Sequence, residues 1–136
     1  MKIKRERPPV YDLIVSAGMR PHEGVVYTYG DTIYNPSGNE LPDHIVHHEE
    51  THCLQQGDDP DAWWERYVTD PYFRFEQEAE AYAAQYDFMC ESIRDRNRRS
   101  KILFDMALML SGPVYGGTVS HSVARKMIKN KAKTKP

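Results

Sequence analysis

Residues 46–57 read Val-His-His-Glu-Glu-Thr-His-Cys-Leu-Gln-Gln-Gly, and within them His48, Glu49 and His52 stand in the spacing H-E-x-x-H. On a helix, side chains four residues apart lie one above the other on the same face. Two imidazoles at that spacing can therefore reach one metal ion together. A carboxylate beside the first histidine is placed to act as general base toward a water that the metal activates, so the chemistry on offer is metal-assisted hydrolysis. So short a pattern also arises by chance, and the elements around it must agree before it carries weight.

The local sequence does agree. Asp43 opens a run without Gly or Pro that lasts to Gly57. It predicts a helix of about fourteen residues with Asp43 as N-cap and Gly57 just past the end. Leu41, Ile45, His48 and His52 follow helical spacing, so the histidine face is also the inward face. Buried imidazoles need polar partners, and a metal supplies them. His47 points off that face. Cys53 follows His52 and points about 100° away around the helix, a poor position for a ligand; it reads as a small core residue.

A catalytic zinc normally takes three protein ligands and keeps one position open. The candidates after His52 are Glu76, Glu78 and Glu80 in the segment FEQEAEAYAAQYD. Alternate helix positions point about 200° apart, so the three cannot share a role. Phe75, Ala79, Tyr82, Tyr86, Met89 and Ile93 trace the apolar face, with Glu78 close to it and Glu76 and Glu80 toward its flanks. The alanines at 79, 81, 83 and 84 permit the close helix packing that a short glutamate arm needs.

The remaining elements form the frame. Val25–Tyr29 and Thr32–Tyr34 are rich in β-branched and aromatic residues around Gly30-Asp31, which predicts a hairpin. Its edge would be a place to hold an extended peptide by backbone hydrogen bonds. Asp59-Pro60 and Asp70-Pro71 are helix starts. The first opens a short helix with Trp63, Trp64, Tyr67 and Val68, and the second the longest helix, reaching about Arg96. Ser100 is the expected cap of a helix through Leu110 that Gly112-Pro113 ends, and Ser120 opens a last one to about Asn130. Val10–Val15 fits a strand or a short helix equally. The fold class is α+β, mostly helical, as a single domain over 1–136 with charged, flexible tails at 1–9 and 131–136.

Hydrophobic residues make up 40% and charged residues 28%, a globular balance that excludes a disordered chain. A net charge of −2 gives no general case for a nucleic-acid or membrane partner. Basic residues do gather near the ends, among them Lys2, Lys4, Arg5 and Arg7, then Arg125, Lys126, Lys129 and Lys131, and read as solvated tails. The first residues are charged and hold no apolar signal region, and no stretch is long enough for a membrane span, so a cytoplasmic setting is expected. Two cysteines, Cys53 and Cys90, are too few for a disulfide framework and are expected to be reduced.

Beyond the residues themselves, the chain resembles the gluzincins, zinc peptidases that carry H-E-x-x-H on one helix and a glutamate ligand on a later one. The wider pattern is most similar to small metallopeptidase-like proteins of phages and prophages. It runs from His48 to His52 with Gln55, through Trp63-Trp64 and Tyr67, to Asp70-Pro71-Tyr72-Phe73-Arg74 and Gln77-Glu78-Ala79-Glu80-Ala81-Tyr82. The resemblance covers about residues 41 to 90. It implies a zincin-like fold and Zn2+ on His48, His52 and Glu78, with Glu78 preferred to Glu76 and Glu49 as general base. It also implies a peptide or protein substrate and a phage-type origin. Such enzymes steady the oxyanion with a His, Tyr or Arg. Tyr115 and His121 are the candidates here, although each type is ordinarily a packing residue. Glu50, Glu80 and Gln55 are candidate partners for the ligand imidazoles. The other readings are a metal-stapled interaction module without activity and a hydrolase of a cell-wall amide.

Overall fold

The computed structural model describes residues 1–117 and 119–135. Strands β1 (Lys2–Lys4), β2 (Tyr27–Tyr29) and β3 (Thr32–Tyr34) form one small sheet in the order β1-β3-β2. Helix α1 (Tyr11–Ser16) lies between the first two strands, so the undecided Val10–Val15 segment is helical. Five longer helices or turns follow: α2 (Asp43–Gln56), α3 (Pro60–Thr69), α4 (Pro71–Cys90), α5 (Arg96–Leu110) and α6 (His121–Lys131), with a 3-10 turn at Pro113–Tyr115. The chain is thus α+β and mostly helical. No helix among the described residues is long and apolar enough to cross a membrane.

The hairpin forms as its β-branched and aromatic residues predict, with Gly30 at φ 61° in the turn. The N-terminal arm differs from its reading as a tail. Lys2–Lys4 pairs parallel to Thr32–Tyr34, because β3 still offers an unpaired backbone edge there. At the other end, the amides of Lys133 and Thr134 donate to the Asp87 carboxylate at 3.0 and 2.9 Å.

Helix boundaries follow their caps. Asp59, Asp70 and Ser120 each accept a hydrogen bond from a backbone N–H in the first turn they open. Three expectations are corrected. The residue before α2 is Pro42, in extended conformation, and Asp43 is the first helical residue. Helix α4 stops at Cys90 rather than near Arg96, because Arg99 donates to the carbonyls of Cys90 and Ile93 and closes the helix without Gly or Pro. Asp95, whose carboxylate accepts from Asn97 N, then caps α5, so Ser100 lies inside that helix.

Two apolar clusters flank α4. One joins α4, α5 and α6 through Phe75, Tyr86, Leu103, Leu110 and Ile128. The other joins α1, the hairpin and α3 through Ile14, Tyr27, Trp63, Trp64 and Tyr67. Helix α2 packs along α4 between them, and there the buried residues are polar: His48, Glu49, His52, Glu78 and Gln85. A buried polar layer demands a chemical explanation, because each unpaired group in it is costly.

Candidate metal centre

His48, Glu49, His52 and Glu78 are 6%, 6%, 5% and 4% exposed. Nε2 of His48 lies 3.0 Å and Nε2 of His52 3.3 Å from Oε1 of Glu78. The two imidazole rings meet edge to face with centroids 4.9 Å apart. Helical spacing on α2 sets the ring pair, and the α2–α4 contact delivers the carboxylate. Glu76 lies on a flank of α4, paired with Lys131 at 2.9 Å, and Glu80 is exposed. The carboxylate at the histidines is therefore Glu78. Among the described residues, His48, His52 and Glu78 form a buried group whose ligand atoms all lie within 4.8 Å of one another, close enough to bind a metal ion.

The atoms behind these three decide what the group can hold. His48 Nδ1 faces Gln85 Oε1 at 2.9 Å, and Gln85 Nε2 faces His44 Nδ1 at 2.8 Å. His52 Nδ1 faces Gln55 Oε1 at 2.7 Å, while Gln55 Nε2 donates to Gln77 O and Glu80 Oε1. Gln55 Nε2 faces two acceptors, so its oxygen takes the proton of His52 Nδ1, and Gln85 does the same for His48 when His44 Nδ1 carries no proton. That tautomer leaves both Nε2 lone pairs aimed at Glu78. Tyr67 donates to Oε2 of Glu78 at 2.6 Å and turns Oε1 toward the histidines. With both imidazoles neutral, three acceptors converge on one point, and without a metal a proton on His52 is what Glu78 holds there. A cation satisfies that arrangement, and two neutral imidazoles with one carboxylate suit a borderline divalent ion such as zinc.

Without a metal, the charges pair directly. Burial opposes charge on His52, but the Glu78 carboxylate outweighs it and holds the imidazole pKa up to about 9. Burial likewise opposes ionisation of Glu78, and the facing imidazoles overcome it, leaving the carboxyl well below its ordinary value. Glu49 is held differently. Burial dominates there and raises its pKa, although both imidazoles pull the other way. Its Oε1 accepts from Thr28 Oγ1 at 3.0 Å, while Oε2 stands 3.9 Å from His48 Nε2. A carboxylate with one oxygen anchored and the other at the site is placed to exchange a proton with a water held there.

The other sequence candidates divide. Tyr115 lines the cavity beside His48, Glu49 and Glu78, and its hydroxyl is 2.9 Å from that of Tyr82. Burial and then the Glu78 charge push its pKa well up, so it stays a proton donor. His121 stands apart from the centre. It opens α6 with Nε2 3.0 Å from Phe104 O, and it does not line the cavity. Gln55 supports a ligand imidazole as expected and Glu80 supports Gln55, whereas Glu50 is exposed. His47 stacks on Phe88 at 4.0 Å, off the metal face, and Cys53 is half-buried rather than core.

Sequence reasoning missed Gln85, His44, Tyr67 and Thr28. Spacing held a signal for two of them: Gln85 follows Glu78 by seven residues on one helix face, and His44 precedes His48 by four. The hairpin edge also differs from expectation. Gln56 and Trp64 donate to Thr28 O, and Gly30 N donates to Gln56 Oε1, so side chains close the edge from Thr28 to Gly30. No protein-family model matches the chain, and no curated protein or solved structure matches it either.

Proposed function

We propose that this protein is a zinc-dependent hydrolase that cleaves peptide bonds. The observation that carries the reading is the convergence of His48 Nε2, His52 Nε2 and Glu78 Oε1 with Glu49 Oε2 beside them. A purely structural site has no use for that fourth, raised-pKa carboxylate. Zinc bound by the three ligands supplies Lewis acidity, which polarises a carbonyl and makes water acidic enough to ionise near neutral pH.

The chain's own groups supply the rest. Glu49 accepts a proton from the attacking water as its oxygen bonds to the carbonyl carbon. It returns that proton to the amine nitrogen as the C–N bond breaks. Tyr115 is the hydroxyl donor available for the developing oxyanion, backed by Tyr82. Arg74 holds it in place: its guanidinium donates to Tyr67 O, Val68 O and Tyr115 O, tying the 3-10 turn to the end of α3.

The substrate lies between two walls. Val25 and Val26 on one side and Val114 and Tyr115 on the other line both a cavity of about 80 Å³ and a neighbouring one of about 280 Å³. His48 and Glu49 line both as well, so a bound chain crosses the centre from one cavity to the other. Thr28 turns its carbonyl outward, and Val26, just before β2, lines both cavities. With Thr28 closed by side chains, Val26 is the backbone position where an extended peptide adds.

Metal analysis of the purified protein should find close to one zinc per chain. Glu49→Gln should keep that zinc and abolish cleavage of a peptide that the native protein cuts. Unchanged cleavage would sink the reading, and so would a native protein that holds zinc yet leaves a diverse peptide library intact.

A further inference from the structure

The small net charge hides a sharp partition. Residues 94–136 hold eleven Lys and Arg against two Asp, whereas residues 1–93 hold seven against eighteen Asp and Glu. The basic part is not a tail, because α5 and α6 pack against each other as one pair. His121 meets Phe104 and Arg125 meets Ser100, so the helices run antiparallel and Lys129 comes level with Arg96. The outward side of the pair therefore carries Arg98 and Lys101 from α5, about 60° apart around that helix, and Arg125, Lys126 and Lys129 from α6.

These cations are poorly compensated. Among the described residues, Lys101 has Asp105 at 2.6 Å, but the other four have no carboxylate within 4.0 Å. Arg125 reaches only Ser100 Oγ, at 3.4 Å, and its Nε has no acceptor. Arg96 and Arg98 also stand in the first turn of α5, where the helix dipole disfavours cations. Local stability does not account for such a set, whereas an anionic partner does.

We propose that the α5–α6 face binds the phosphate backbone of nucleic acid without reading its sequence. A track of fixed guanidinium and ammonium groups along two rigid helices matches regularly spaced phosphates, and arginine forks take phosphate oxygens in pairs. An anionic bilayer is the weaker fit. A basic helix lies on a membrane by its apolar face, and α6 buries that face, Ala124 and Ile128, in the core. The proposal is independent of the metal centre and stands if the hydrolase reading fails.

The test is fluorescence anisotropy of a labelled duplex of about 20 base pairs with the full, zinc-replete chain, from about 50 to 200 mM KCl. Binding should weaken with salt with a log–log slope of about −3 to −4, as four phosphate contacts require. Lys126→Glu with Lys129→Glu should weaken binding by about tenfold or more at the lowest salt, while Lys2→Glu with Lys4→Glu, an equal charge change on β1, should leave it within about twofold. If the α6 pair lowers helicity by circular dichroism, Arg98→Gln with Lys101→Gln on α5 takes its place. Three results overturn the proposal: no binding at the lowest salt, equal weakening by both pairs of variants, or binding to phosphatidylserine vesicles but not to the duplex.

Discussion

At the scale of single residues, the centre is a matter of which lone pair faces which atom. Glu78→Ala removes the one carboxylate that, among the described residues, faces both imidazoles, and zinc content should fall to background. Glu76→Ala removes a half-exposed pair with Lys131, so zinc should stay and stability should change by less than about 1 kcal/mol in thermal melts. Supporting groups should matter less than ligands but more than neighbours. Gln85→Leu frees the His48 tautomer and Tyr67→Phe frees the Glu78 carboxylate. Each should weaken zinc binding by about 10- to 100-fold in competition with a chromophoric chelator. His48, Glu49 and His52 were legible because the code is local: four residues make one helical turn. Thr28 and Tyr67 were not, because nothing in their own segments requires a hydroxyl there.

At the scale of elements, the decisive contact is α2 against α4. Glu78, Ala81 and Gln85 share one face of α4, and both Glu78 and Gln85 touch α2 side chains, so Ala81, which is fully buried, faces α2 as well. Ala81→Leu should push the helices apart, cost about 1–3 kcal/mol and lower zinc affinity even though no ligand changes. Melting with and without zinc separates the two effects. The end of α4 depends on a side chain from the next helix. Arg99→Ala leaves the carbonyls of Cys90 and Ile93 without their donor and should cost about 1–2 kcal/mol. This explains why the helix end was misread. Reading along the chain finds Gly, Pro and local caps, and α4 uses none of them. Where Asp59, Asp70 and Ser120 cap their own helices, the starts were legible to the residue.

At the scale of the whole molecule, two apolar clusters enclose one buried polar layer, so stability should follow the charge state of that layer. In the metal-free protein, His52 is raised from 6.5 to about 9, and its contribution is full below pH 6.5 and lost as pH rises through 9. Glu78 is lowered from 4.5, so its contribution is present above pH 4.5 and lost as pH falls below that value. Chelated protein should therefore be most stable between about pH 4.5 and 6.5 in thermal melts. Zinc should shift that optimum upward, because binding requires His52 to give up its proton. Flat stability of the chelated protein from pH 5 to 9 would contradict the buried pair. The charge partition belongs to this scale too. A near-zero total hid it, and packing of α5 on α6 turned dispersed Lys and Arg residues into one face.

What the sequence determined alone was everything with a short period: the imidazole pair and its base on one helix, the capped helix starts, the hairpin, and a mostly helical α+β chain. The resemblance added a preference for Glu78. Only the tertiary structure decided that Glu78 reaches both imidazoles, that amide oxygens fix their tautomer, that Tyr115 stands at the cavity and His121 away from it, and that side chains close the hairpin edge. The physical reason is range. Helical spacing is set by backbone geometry within a turn or two, whereas these other relations, apart from the local Gln55–His52 contact, join residues 11 to 41 positions apart and exist only once α2, α3, α4 and the turn before α6 have packed together.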